Sequence, residues 1–331
     1  MQNGATIALA ETGGLEPVGE YLTQQGMTFD DFFPAALETA TYQDKLYALP
    51  FQVEAHALVY NKGAFREAGL DPEKPPQTWD ELVVAAQTLT KTTERGQQYG
   101  YGVAGGGQDQ PGNTLFRTLP LMWMNGGGIL SDDFTKVTLN QPESVAAVQF
   151  YADFYTKHAV APPSTLENDG LALRRLFIAE SIAMIQASQA DFLLIKQGNP
   201  DLNLGVARLP HPKDRDPAVI LGGWNFIVPA EAPNKAETLQ FLQFLSSTEN
   251  IAYYTNTSPA RRSGFDQPQH QRPDLVGFKQ MLDYARRQPP LPEWSQIVQI
   301  YYDHFQEVLL GTPAQEAMDA AAAEIQPLLE Q

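Results

Sequence analysis

The chain has 331 residues, 43% hydrophobic and 18% charged, with a formal net charge of −17 at pH 7. That length exceeds what one core usually supports, so two domains are expected. The negative balance argues against a nucleic-acid partner, whose phosphates demand clustered Lys and Arg. The absence of cysteine excludes disulfides, thiolate catalysis and cysteine-ligated zinc, and no apolar run reaches the roughly 18 residues of a membrane span.

In chain order, the opening MQNGATIALAETGG carries no Lys or Arg and only a short apolar patch, Ala5 to Ala10, so it does not read as a signal peptide. An apolar run from Leu46 to Leu49 stops at Pro50, and a second from Ala57 to Tyr60 is punctuated by Asn61-Lys62-Gly63. Between them stand the polar side chains of Gln52, Glu54 and His56. After the turn at Pro75-Pro76, Thr78 with Glu81 forms a capping box, and Leu82, Ala85, Ala86 and Leu89 follow at helical spacing. Gly100-x-Gly102-x-x-Gly105 satisfies a dinucleotide pattern by count, but polar Arg95–Gln98 precedes it and a Gly/Gln/Asn loop follows, so the strand–turn–helix context fails.

Trp123-Met124-Asn125-Gly126-Gly127-Gly128 reads as a turn whose glycines serve a backbone with positive φ. Pro142 opens a helix with an inner face of Val145, Val148, Tyr151, Ala152 and Tyr155. Short strands are expected at Ile182–Ile185, Leu204–Ala207 and Phe226–Val228. A helix beginning near Asn234 carries Leu239, Leu242 and Leu245. The last helix starts at Thr312, with Pro313 in its first turn, Gln315 closing a second capping box, and an inner face of Met318, Ala321, Ala322 and Ile325. Helices alternating with short apolar strands predict α/β lobes with largely parallel sheets. Histidines 56, 158, 211, 270 and 304 are scattered without metal-ligand spacing.

Tyr47-Ala48-Leu49-Pro50, Val59-Tyr60-Asn61-Lys62, Ala68-Gly69-Leu70-Asp71-Pro72, Pro75-Pro76 and Thr78-Trp79-Asp80-Glu81 form an ordered set. It resembles the extracellular solute-binding proteins of ABC importers, in the branch that takes up maltose-like sugars, other oligosaccharides and glycerol phosphate. The resemblance implies a two-lobed α/β fold of the periplasmic-binding-protein type II, with a ligand cleft between the lobes. It places lobe one at residues 1–53 and 224–272, lobe two at 57–220 and 276–331, and crossings near 53–57, 220–224 and 272–276. Family members carry an opening strand–helix–strand unit before the segment resembling Gly14-Leu15-Glu16-Pro17-Val18. Lobe one is therefore expected to be incomplete at its N-terminus, its sheet left with an exposed edge.

Candidate ligand contacts follow. Glu54 can accept from two neighbouring hydroxyls, which suits a sugar; Gln52-Val53-Glu54-Ala55 also resembles a crossing segment of maltose-binding proteins, and the alternative is a solvated Glu in a bend. Gly223 and Trp224, in Gly222-Gly223-Trp224-Asn225, resemble the family's return to lobe one, where an aromatic face offers a pyranose flat apolar area; the alternative is core packing. Ser188 and Gln189 occupy the loop where the family tends to have Gly-Ser-Trp-Ala, so a stacking aromatic is missing and Ser188 either contacts ligand or caps a helix. Gln108 and Asp109 either reach ligand hydroxyls or sit in a plain surface loop. Arg261 either grips an anion or forms an ordinary salt bridge, and Trp294 either stacks on ligand or packs a lid.

The expected function is the substrate-binding component of an ABC importer, not an enzyme, taking a sugar or oligosaccharide without any cofactor or metal. Its partners would be that ligand and the permease subunits, with the chain itself monomeric and periplasmic or extracellular, all by resemblance. One alternative keeps the scaffold but binds glycerol-3-phosphate, with Arg261 and Arg262 as the only basic candidates. Another is a glycoside hydrolase using Glu54 and Asp109, which in a retaining enzyme would stand about 5 Å apart.

Overall fold

The apolar run ending near Pro50 extends into a strand, Ala48–Glu54, central to a three-stranded sheet in the computed structural model, which describes residues 1–106 and 111–330. Gly222–Ile227 lies on one side of it and Ser258–Pro259 on the other, both antiparallel. This sheet belongs to one of two compact units into which the chain divides, formed by Met1–Ala55 and Ile220–Pro292. Its core includes Val18, Leu22, Phe32, Phe33, Ala48, Leu49, Val53 and Ile251, all buried; each large side chain contributes roughly 1.5–3 kcal/mol by leaving water.

Residues 276–292, expected in the second lobe, belong to this unit. Val276–Leu282 is a helix whose Phe278 and Met281 are buried. Lys279 Nζ lies 4.9 Å from the centre of the Phe265 ring, and Arg262 pairs with Asp283 at 2.7 Å. The expected crossing at 272–276 is thus an internal turn, and the chain leaves the unit after Pro292. Short 3-10 turns at Arg262–Asp266, Pro268–His270 and Pro273–Leu275 dominate this stretch and carry no periodicity from which the assignment could be read.

The second unit comprises His56–Val219 and Glu293–Gln331. Its sheet has the order Met184–Ser188, His56–Asn61, Leu204–Ala207, again antiparallel. The expectation of largely parallel sheets therefore fails for the paired strands of both units. Parallel pairing survives as isolated bridges, Thr78 to His211, Tyr99 to Ile182 and Gly102 to Ile185. Alternation of helix and strand signals reports where the elements lie, while pairing and direction are set by where the chain returns from long excursions.

Helices pack around this sheet. Trp79–Leu89 begins with the predicted capping box: Glu81 N–H donates to Thr78 Oγ1 at 3.3 Å, and Thr78 N–H donates to Glu81 Oε2 at 3.2 Å. Its buried face is Leu82, Ala85, Ala86 and Leu89, as expected. Pro142–Thr156 starts at its proline and buries Val148, Tyr151 and Ala152 with Ser144, Ala147 and Phe154, while Val145 and Tyr155 are half-buried. The final long helix, Ala314–Ile325, buries Met318, Ala321, Ala322 and Ile325. Its expected capping box does not form, because Gln315 Nε2 donates to the Asn140 carbonyl and to Asp319 at 3.1 Å each.

The Trp123–Gly128 run ends the helix Gly112–Asn125. Gly126 takes φ +90° at the C-cap, and a Cβ on Gly127 would stand 2.4 Å from Ser144 Oγ. One glycine therefore supplies a left-handed turn and the next a close approach.

Candidate functional site

Three of the predicted contacts lie together at one end of the first unit's sheet. Across the antiparallel pair, Glu54 stands opposite Gly222, Val53 opposite Gly223 and Gln52 opposite Trp224. Directly opposed residues share a face, as do residues two apart on one strand. Gln52, Glu54 and Trp224 accordingly project to the same side, with Gly222 adding no bulk beside Glu54. Gln52 Nε2 donates to Glu54 Oε1 at 3.2 Å, which orients the carboxylate. Trp224 is 42% exposed, so its ring presents apolar area to solvent rather than filling the core. An exposed indole beside an oriented carboxylate and an amide can stack on a sugar's C–H face while accepting and donating at its hydroxyls.

Gly223 holds this edge in shape. Its φ is +132°, and a Cβ there would fall 2.1 Å from the Gln52 carbonyl oxygen. The close approach expected of the paired glycines is thus made to the neighbouring strand. A break in register follows between Trp224 and Asn225, where the strand bulges.

Arg261 follows the edge strand Ser258–Pro259 but is committed elsewhere. Its Nε donates to the Ser246 carbonyl at 2.8 Å, its Nη1 lies 3.3 Å from Asp31 Oδ2, and its guanidinium sits 4.4 Å from the centre of the Phe32 ring. Arg262 pairs with Asp283 and lies over Phe33. Both cations are therefore matched by acids within the unit.

In the second unit, His56 opens its strand opposite Ser188, the last residue of Met184–Ser188. Ser188 Oγ accepts from Asp191 N–H at 3.1 Å and donates to Asp191 Oδ2 at 3.0 Å, capping the helix Gln189–Gly198. Gln189, first in that helix, is buried. Phe116 packs 5.5 Å from the His56 ring, and Gln186 Nε2 donates to the Phe116 carbonyl at 2.9 Å. Burial, reinforced by the charge of Arg117, pushes the His56 imidazole well below its usual range, so it is neutral at pH 7. Trp294 is the buried first residue of the helix Trp294–Leu309. Gln108 and Asp109 lie outside the described residues.

Sequence reasoning did not single out Arg117 or Phe116. The available signal was one charge in an otherwise uncharged helix, Gly112–Asn125. A groove of about 500 Å³ in the first unit, lined by Pro17, Phe29, Leu37, Asp44, Lys45 and Leu46 among others, includes none of the predicted contacts. Among the described residues, no cluster of His, Asp and Glu could hold a metal ion, and no helix is long and apolar enough to cross a membrane.

The sequence model for bacterial extracellular solute-binding proteins matches residues 1–252. The sn-glycerol-3-phosphate-binding periplasmic protein UgpB of Pectobacterium atrosepticum is 28% identical over 346 residues, covering 96% of this chain and 74% of that protein. An ABC transporter solute-binding protein of Thermotoga lettingae, solved with α-D-tagatose bound, is 30% identical with a TM-score of 0.84, over 99% of this chain and 84% of that one. UgpB of Mycobacterium tuberculosis, solved in complex with glycerophosphocholine, is 22% identical with a TM-score of 0.84, over 100% of this chain and 82% of that one; this likeness is one of fold.

Proposed function

This chain belongs to the bacterial extracellular solute-binding proteins, the non-catalytic component of ABC transporters, with their mixed α/β fold, and on that premise we propose that it binds a sugar or oligosaccharide. Gln52, Glu54 and Trp224 of the first unit would supply the ligand contacts, the ring by stacking and the polar groups at hydroxyls. Binding would favour a closed state that permease subunits recognise, outside the cytoplasmic membrane, since a ligand shifts a conformational equilibrium only by its preference for one state.

The observation that carries this reading is the shared face of Gln52, Glu54 and the exposed Trp224. The tagatose-bound relative supports a sugar as ligand. Membership in a non-catalytic family removes the hydrolase alternative. A second reading, binding of glycerol-3-phosphate, is supported by the 28% identity to the Pectobacterium protein across nearly the whole chain. The basic groups first considered for it, Arg261 and Arg262, are each paired with an acid.

Thermal-shift titration of the purified chain with tagatose, maltose, longer maltodextrins and sn-glycerol-3-phosphate tests the reading. A saturable rise in melting temperature without new products is expected, because a ligand that binds only the folded state stabilises it. Turnover of any of these compounds, or no response to all of them, would overturn it.

A further inference from the structure

Arg117 is the only charged residue in the helix Gly112–Asn125, and it is 2% exposed. Its Nη1 donates to the Asn113 carbonyl at 2.7 Å, one turn back on the same helix. Its Nε is enclosed and without an acceptor. It makes no ion pair among the described residues. Nη2 has no hydrogen bond either, yet it is not among the fully enclosed unpartnered atoms. Gly170 and the Asn113 side chain border that edge: a Cβ on Gly170 would stand 2.8 Å from Asn113 Oδ1 and 3.7 Å from Nη2. Asp169, the acid beside it in sequence, accepts from Ala172 N–H at 2.7 Å as a helix cap.

A guanidinium does not shed its proton in a protein, and an ionised group withdrawn from water costs several kcal/mol unless an opposite charge meets it. The titratable groups that feel this cation supply none. They are His56, Tyr101 and Tyr151, all neutral at pH 7. The cation stands near the residues assigned to ligand contact, because its neighbour Phe116 packs on His56 and is tied by Gln186 to the strand ending at Ser188.

We propose that Arg117 receives the acidic group, carboxylate or phosphate, of a polyol or sugar ligand, so that the substrate class is anionic rather than neutral. Naming that ligand rests on the binding-protein reading above. The missing partner of a buried cation is an independent observation, and it can be probed with simple anions.

The experiment compares wild type with R117M and R117K. Inorganic phosphate and acetate, each against chloride at equal ionic strength, should raise the melting temperature of wild type saturably and leave R117M unmoved. Matched pairs follow: glycerol against sn-glycerol-3-phosphate, and glucose against glucose-6-phosphate and glucuronate. The acidic member should bind wild type at least about tenfold more tightly than its neutral parent, and the better of phosphate and carboxylate identifies the acid. R117M should lose that preference. R117K, which keeps charge but not the planar fork, should retain part of it and guards against loss of fold.

The proposal is overturned if R117M keeps the wild-type preference. It is overturned with the binding-protein reading intact if wild type binds neutral sugars and shows no preference for acids. It is also overturned if D109N loses as much stability as R117M without ligand, which would assign the counter-charge to Asp109. No response to any probe, neutral sugars included, sinks both.

Discussion

Trp224 stands directly opposite Gln52 across the antiparallel pair formed by Gly222–Ile227 and Ala48–Glu54, with Glu54 two residues further along the same face. Because Trp224 is 42% exposed, removing its ring should cost little folding stability. Removing it should cost ligand affinity, since stacking area and hydroxyl contacts would be lost together. Trp224→Ala and Glu54→Ala should each weaken the bound ligand by roughly tenfold or more, ~1.4 kcal/mol, with apo melting temperatures close to wild type. Calorimetric titration checks this; two mutants that bind as wild type does would remove both residues from the site.

Gly223 should tolerate no side chain. Its φ of +132° lies where L-residues are strained, and an added Cβ would meet the Gln52 carbonyl at 2.1 Å. Backbone on both sides leaves no flexible group to yield. Gly223→Ala should destabilise the fold by ~1–3 kcal/mol, measured as a lower urea midpoint. A midpoint equal to wild type would mean that the bulge after Trp224 absorbs the strain.

Local signals were the readable ones. Thr78 and Glu81 sit three residues apart and need nothing from the rest of the chain to form their capping box, and they form it. Thr312 and Gln315 have the same spacing, but Asn140 and Asp319 compete for the Gln315 amide and win. Of Leu239, Leu242 and Leu245, only Leu242 is buried, while Phe241 and Phe244 on the same helix are exposed; helical spacing predicted the helix but misjudged its face. Strand direction and the unit to which residues 276–292 belong depend on contacts between segments distant in sequence, such as Arg262 with Asp283 and Lys279 with Phe265. In the candidate site, the sequence marked Glu54 and Trp224 separately as junction residues, while the strand pairing that sets Glu54 opposite Gly222 is visible only in the coordinates. Arg117 was overlooked because a single Arg on an apolar helix commonly snorkels to solvent, and only coordinates place it in the interior.

Ser188 separates a structural role from a binding one. Its hydroxyl caps Gln189–Gly198 through Asp191 N–H at 3.1 Å. Ser188→Ala should cost ~0.5–2 kcal/mol of stability, and Ser188→Asp, which keeps a capping oxygen, should recover most of it. If capping is the whole role, the Ala variant binds ligand as tightly as wild type once folded. Weaker binding by the Ala variant, at a temperature where it is fully folded, would add a ligand contact.

His304 should make stability depend on pH with a defined sign. Its Nδ1 lies 2.9 Å from Glu307 Oε2 and its Nε2 3.1 Å from Glu324 Oε1, joining the helices Trp294–Leu309 and Ala314–Ile325. Burial alone pulls the imidazole down, but the hydrogen bonds and charges of the two glutamates more than offset it, so its pKa is raised above the ordinary value of 6.5. A raised pKa in the folded state means that the protonated form is favoured by folding. The contribution is fully present below the unfolded value and is lost as pH rises through the folded value. Wild type should therefore exceed His304→Gln in urea midpoint by the widest margin near about pH 5, with the gap narrowing as pH passes above 6.5. Glutamine can donate to one glutamate at most and carries no charge, so it removes the titration while keeping comparable bulk. A gap that stays constant over this range, or widens toward alkaline pH, would show that the clasp between the two helices does not draw on the imidazolium charge.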